Sequence, residues 1–222
     1  MIFKGKKMMF SQKNKKISPV PTIYLHIPFC KRICPFCDFA VCSDREQLHE
    51  KYILGMMDEI GQRVENLNTL QLEKFNEKNS EKKLLESIYI GGGTPSRLTI
   101  PHLSLLIKKV RDSFSLSDRI EMSFEMNPED VTKGYLKDLQ KIGINRISLG
   151  GQSFQNGNLN LLGRGHSKYL LRKAIKFLKK SPIKDWNLDL MFGIPNQSFS
   201  SFKSDLEEAI SYDPSHISIY CL

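Results

Sequence analysis

Between residues 22 and 221, short β-branched runs alternate with stretches whose apolar residues recur at helical spacing. The pattern predicts six strands, at 22–27, 87–90, 120–126, 146–149, 187–192 and 216–221. Helices fill the intervals. The first follows a capping box at Ser43-Asp44-Arg45-Glu46 and sets Leu48, Tyr52, Ile53, Met56, Met57, Ile60 and Val64 on one face. Thr99 caps the second, over Leu103, Leu106, Ile107, Val110 and Phe114; the third carries Leu136, Leu139 and Ile142 and stops at Gly143. Ser167 opens the fourth, over Leu171, Ala174, Ile175 and Leu178, and Phe202, Leu206, Ala209 and Ile210 form the inner face of the fifth. Residues 63–86, rich in Asn, Glu and Lys, read as a helix end plus an exposed insertion.

Strict β-then-α alternation implies an α/β fold with a parallel sheet and right-handed crossovers, either an open doubly wound sheet or a barrel. Both architectures put their chemistry at the strand C-termini. Polar or glycine-rich residues fall there after five strands. A cysteine-rich loop follows the first and Gly91-Gly92-Gly93-Thr94-Pro95 the second. Glu125-Met126-Asn127-Pro128 ends the third, Gly150-Gly151-Gln152-Ser153 follows the fourth, and Gly193-Ile194-Pro195 comes after Asp189 in the fifth. One mouth is expected to collect them all.

Composition narrows the class. With 222 residues, 40% hydrophobic and 26% charged, the chain suits one globular domain plus a small extension and excludes collagen-like, disordered and disulfide-mini-protein readings. No run approaches the roughly 18 apolar residues of a membrane span, and no apolar leader precedes a cleavage site, so a cytoplasmic location is expected. The net charge of +9 raises nucleic acid or an anionic membrane as partner. Six lysines and no acid lie in residues 1–18, however, which leaves only +3 for the remainder. Residues 1–18 are read as a basic disordered arm, with an electrostatic anchor or transit peptide as the other readings. Nucleic acid is not expected as a partner, and peripheral membrane contact stays open.

Three of the five cysteines crowd into Cys30-Lys31-Arg32-Ile33-Cys34-Pro35-Phe36-Cys37, with Cys42 nearby and Cys221 far away. Clustered thiols in a chain without an export signal point to metal or redox chemistry rather than a disulfide frame. Three thiolates at this spacing can each bind a different iron of a [4Fe–4S] cube, leaving the fourth iron open to a small molecule. Zinc with Cys42 or His26 as fourth ligand, and a cube closed by Cys42, are the competing readings. A packed core histidine is the default for His26. His166 is left as a substrate or haem contact at most.

These residues, in order, resemble the radical S-adenosylmethionine (SAM) superfamily. Tyr24-Leu-His-Ile-Pro-Phe-Cys30, the CxxxCxxC spacing, Gly91-Gly-Gly-Thr-Pro-Ser96, Glu125-x-Asn-Pro128, the Asn-Arg-Ile-Ser-x-Gly-x-Gln-Ser-Phe stretch, Leu162-Gly-Arg-x-His166 and Leu188-Asp-Leu-Met-x-Gly-x-Pro195 carry the resemblance. They match the branch that holds oxygen-independent coproporphyrinogen III oxidases and HemW-type haem chaperones, from about Pro21 to Leu222. The resemblance implies a partial (β/α)6 barrel over residues 19–222. It implies Cys30, Cys34 and Cys37 as cluster ligands and Phe36 as the aromatic against the adenine of SAM. Gly92, Gly93 and Thr94 would approach the methionine part; Glu125, Gln152, Arg164 and Asp189 would contact SAM, and Tyr24 would lie near its carboxylate.

Oxidases of this branch carry a cysteine two residues after the third ligand, where this chain has Phe39. The resemblance therefore favours a haem chaperone that binds a [4Fe–4S] cluster, SAM and haem, takes an electron from a donor and delivers haem to accepting proteins. Coproporphyrinogen oxidation by a 5′-deoxyadenosyl radical is the enzymatic alternative, and a zinc or nucleic-acid binding module the non-catalytic one. Family members continue beyond the sixth strand, so a missing C-terminal domain and an exposed sixth strand are expected.

Overall fold

The structure, a computed structural model, describes residues 22–74 and 84–222. The basic arm lies outside the described residues. Strand β1 (Thr22–Ile27) leads into a loop pinned by a two-residue ladder, β2 (Phe29–Cys30) with β3 (Cys42–Ser43). The chain continues through α1 (His49–Lys74), β4 (Leu84–Gly92), α2 (Ile100–Ser113), β5 (Ser115–Met126), α3 (Lys133–Lys141) and β6 (Arg146–Gln152). It ends with α4 (Asn156–Leu161), α5 (Lys168–Lys179), β7 (Asp185–Phe192), α6 (Phe199–Ser211) and β8 (His216–Cys221). The predicted insertion resolves into a longer α1 and an earlier β4, with residues 75–83 outside the described residues.

Six strands form one parallel sheet in the order β1-β4-β5-β6-β7-β8, each paired with its sequence neighbour. Sequential parallel pairing with a helix in every interval is the βα repeat that the pattern predicted. Among the described residues β1 and β8 are not paired with each other, so the barrel is partial. Side chains alternate across each strand. Ile27, Ile88, Ile90, Phe124, Ile147, Leu149, Leu188 and Leu190 face outward to the helices and are almost wholly buried, at 0–1% exposed. The opposite face carries Tyr89, Glu125, Ser148, Asn187 and Asp189, and adjacent registers place Glu125 beside Ser148 and Ser148 beside Asn187.

The helices cover the outer face as their spacing requires. Leu103, Leu106 and Val110 of α2, Leu136 and Leu139 of α3, and Leu171, Ile175 and Leu178 of α5 are fully buried. Thr99, Thr132, Ser167 and Ser198 each accept a backbone N–H of the first helical turn, satisfying a donor that the helix leaves free. Three expectations fail, the first being Leu48, which lies in the turn before α1 and is 40% exposed instead of joining the buried helix face. Ser43-Asp44-Arg45-Glu46 is not a capping box: Ser43 belongs to β3, Arg45 stands at the N-cap of the Glu46–Leu48 turn with no side-chain cap, and the Glu46 carboxylate lies 3.5 Å from Arg97 Nη2. Ile210 is 59% exposed, because the inward face of α6 is taken by Ala209 and by a fully buried Asp205, which accepts from Ser153 Oγ and Phe154 N.

Candidate functional site

The C-terminal ends of β4 to β8 and the cysteine loop enclose one cavity of about 420 Å³. That size suits a small-molecule ligand. Eleven of the twelve residues singled out from the sequence line it: Cys30, Cys34, Cys37, Phe36, Gly92, Gly93, Thr94, Glu125, Gln152, Arg164 and Asp189. Tyr24 does not. Its ring stacks on Tyr89 at 6.0 Å and its hydroxyl meets His26 Nδ1 at 3.0 Å, on the inner side of the edge strand β1.

The cysteine loop is fixed at both ends. Cys42 N donates to Pro28 O and Asp44 N to Cys30 O, closing the loop across the β2–β3 ladder. Inside it, Cys37 N donates to Cys34 O at 3.0 Å. His26 Nε2 lies 2.7 Å from Ala40 O, so both ring nitrogens are engaged by protein groups and neither is available as a metal ligand. All five thiols are free. Cys30 is buried, Cys34 and Cys37 are half-buried, and Cys42 is exposed and outside the cavity that the other three line. Among the described residues, no three or more His, Cys, Asp or Glu side chains converge as ligands of a single metal ion. Mononuclear zinc needs such a set, whereas three sulfurs that each cap a separate iron do not.

Glycine-rich turns bring distant segments onto this loop. A Cβ at Gly93 would stand 2.8 Å from Cys30 Sγ and 2.7 Å from the Pro28 carbonyl oxygen, so only glycine lets the β4 turn lie against the first cysteine. Gly163, at φ +64, packs on the Pro35 ring with no room for a Cβ. That contact seats Arg164 beside the loop, where Nη1 donates toward Cys34 Sγ at 3.5 Å and Nη2 donates to Asn127 Oδ1 at 2.6 Å and Gly150 O at 2.9 Å. Gln152 sits at φ +65 beside a register shift in β6, a left-handed backbone that turns its amide toward the cavity.

Electrostatics favour a site held ready for polar atoms. Burial pushes the Glu125 carboxyl up, and hydrogen bonds from Tyr89 Oη at 2.6 Å and Gly92 N at 3.0 Å only partly offset it. Burial likewise raises Asp189, against donors from Asn187, Ser218 and Ser148. Burial raises the Cys30 thiol too, with the Thr94 hydroxyl opposing. Two buried polar atoms in the cavity wall, Gln152 Oε1 and Arg164 Nε, have no hydrogen-bond partner. Orphaned groups of this kind cost free energy unless a ligand engages them. With three free thiols and the Gly93 cradle, they fit an iron–sulfur group flanked by a ligand carrying amino, carboxylate and hydroxyl groups. Phe36 supplies an apolar wall, packed on Leu162, Met191 and Ile194.

Sequence reasoning missed two residues of this site, Tyr89 and Asn127, and a buried acid outside the cavity, Asp205. Tyr89 was visible as an inward-facing position on β4. Asn127 lies inside the quoted Glu-x-Asn-Pro motif, yet no role was assigned to it. Asp205 gave no signal, because a lone acid in a helix reads as surface.

Comparison with known proteins agrees with this geometry. A family model described as the Radical SAM superfamily matches residues 24–209. The haem chaperone HemW of Haemophilus influenzae is 36% identical over 93% of this chain and 52% of its own length. The oxygen-independent coproporphyrinogen III oxidase of Synechocystis is 27% identical over 93% of the chain and 42% of its own length. Among solved structures, coproporphyrinogen III oxidase from Escherichia coli superposes with a TM-score of 0.77 at 26% identity, covering 90% of this chain and 44% of that one. The chain spans about half the length of the curated relatives it matches.

Proposed function

The chain belongs to the radical SAM superfamily, and on that footing we propose that it is the cluster- and SAM-binding core of a haem chaperone. The observation that carries the cofactor assignment is the convergence of three free thiols, a glycine-rich turn and two unpartnered polar atoms on one cavity. The choice of chaperone over oxidase rests on Phe39, 71% exposed at the cavity rim where the oxidases carry cysteine. It rests also on identities of 34–36% to HemW proteins against 27% to an oxidase.

Cys30, Cys34 and Cys37 would hold three irons. A [4Fe–4S] cluster bound there offers an open iron for the amino and carboxylate groups of SAM and one-electron chemistry at low potential. The protein's part is positioning. Tyr89 Oη and Gly92 N orient Glu125 so that its oxygens accept from SAM hydroxyl or ammonium groups, and Arg164 presents its free Nε to an anionic group. Asp189, fixed by Asn187 and Ser148, accepts from the other side of the cavity. Haem is cargo in this reading, its recipients are haem-accepting proteins, and an external electron donor serves the cluster. A cytoplasmic setting suits clustered free thiols. Among the described residues no helix is long and apolar enough to cross a membrane. Domain limits of 19–222 for this core belong to the same proposal.

Anaerobic reconstitution followed by haem titration and product analysis with coproporphyrinogen III tests it. The expected result is haem uptake, seen as a Soret band that passes to an apo-haemoprotein, with no protoporphyrinogen formed. Turnover of coproporphyrinogen, or no haem uptake by the cluster-loaded chain, contradicts it.

A further inference from the structure

The cysteine loop and Arg164 are about 130 positions apart in sequence, yet one arc of side-chain hydrogen bonds joins two of the three cysteines through a residue with no assigned role. Thr94 Oγ1 donates toward Cys30 Sγ at 3.6 Å, and Asn127 Nδ2 donates to that same Oγ1 at 3.1 Å. Asn127 Oδ1 then accepts from Arg164 Nη2 at 2.6 Å, and Arg164 Nη1 donates toward Cys34 Sγ at 3.5 Å. Asn127 uses both ends of its amide, and only this orientation works. The guanidinium has donors alone and needs the amide oxygen; the Thr94 hydroxyl has given its proton to sulfur and needs the amide nitrogen. Neither a carboxylate, which only accepts, nor a second arginine, which only donates, supplies both halves at this position.

We propose that Asn127 is a positioning residue of the cofactor site: it holds Thr94 and Arg164 as hydrogen-bond donors on the Cys30 and Cys34 sulfurs and keeps the unpartnered Arg164 Nε presented to the cavity. The inference rests on the reading of Cys30, Cys34 and Cys37 as cluster ligands. Donors on thiolate sulfur stabilise the more negative, reduced state of a cluster and so raise its reduction potential. Arg164 also gains order. Three of its five N–H donors are committed, to Cys34, Asn127 and Gly150, so the ligand meets a side chain already fixed in place. One residue thereby couples the potential of the cluster to the binding of the molecule beside it.

The test compares Asn127→Leu and Asn127→Asp with the unaltered chain after anaerobic reconstitution. Iron and sulfide are measured, the cluster is titrated by redox potentiometry with EPR detection, and the SAM Kd is measured by equilibrium binding. All three proteins are expected to load iron equally. Asn127→Leu should shift the potential to more negative values and raise the SAM Kd about tenfold, the lower range for a residue one step behind a ligand. Asn127→Asp keeps an oxygen for Arg164 but loses the donor to Thr94, so its SAM Kd stays near that of the unaltered chain while its potential still falls. Unchanged potential and Kd in Asn127→Leu at full iron loading would overturn the proposal, as would loss of iron in both variants, which would make Asn127 a structural residue only. An unaltered chain that takes up no iron fails the cofactor reading itself, and the iron analysis reports that separately from the potential.

Discussion

The two faces of the same six strands are built to opposite rules. On the outer face Ile88, Ile90, Phe124 and Leu188 meet helices with nothing left exposed. On the inner face Tyr89, Glu125, Asn187 and Asp189, one residue away in sequence, are polar, hydrogen-bonded to one another's neighbours, and partly deprived of water. The outer face supplies burial free energy at about 25 cal/mol per Å². The inner face gives some of it back by holding carboxylates whose charged forms are disfavoured. Stability and chemistry are thus separated by the two-residue period of a strand, and substitutions should separate them too.

Cys34→Ser tests the inner rim most severely: reconstituted iron should fall from about four per chain toward none, while the far-UV circular dichroism and urea midpoint stay near those of the unaltered chain. Phe124→Ala, one layer outward, should do the reverse. Deleting a fully buried ring costs about 3–5 kcal/mol in urea unfolding, with iron loading kept in whatever fraction remains folded.

Glu125→Gln should weaken SAM binding about 10- to 100-fold, the loss expected when a hydrogen bond from a charged group is removed, without lowering the urea midpoint at neutral pH. Because the folded-state pKa of Glu125 is raised, the native chain binds its proton more readily than the unfolded chain. Stability therefore declines as pH rises from the ordinary carboxylate range through the raised one. Glu125→Gln should flatten that decline, read from urea midpoints across pH. At the small end, Ser198→Ala should cost about 1 kcal/mol through loss of the α6 cap. Lys108→Ala, in an exposed pair on α2, should cost less than about 0.5 kcal/mol.

How far the sequence reached follows the same division. The outer face was legible because burial repeats: Leu103, Leu106 and Val110, or Leu171, Ile175 and Leu178, announce a helix face by spacing alone. Cys30, Cys34 and Cys37 were legible because their ligand spacing is contiguous. Arg164 was placed by its motif, but its approach to Cys34 depends on the docking of Gly163 on Pro35, a contact no local pattern encodes. Tyr24, assigned to the cofactor by its motif, faces the inner side of β1 beside Tyr89 and His26, outside the residues that line the cavity: alternation says which face a residue takes and not what it meets there. The Ser43–Glu46 string failed because Ser43 was drawn into β3, pairing with Cys30, and the helical turn starts at Glu46 behind Arg45, a tertiary ladder that local spacing does not encode. Asp205 is the reverse case, a buried acid that ties α6 to the loop after β6 and is silent in sequence because its partners are backbone and hydroxyl groups distant along the chain.

The most direct test of the central claim, that one cavity holds an iron–sulfur cluster and SAM side by side, is the EPR spectrum of the anaerobically reconstituted and reduced chain recorded with and without SAM. A [4Fe–4S] signal whose g-values shift on adding SAM, and which is absent from Cys34→Ser, is the predicted result. A reduced cluster whose spectrum ignores saturating SAM, or a preparation that holds a single zinc ion and no sulfide, would contradict the account.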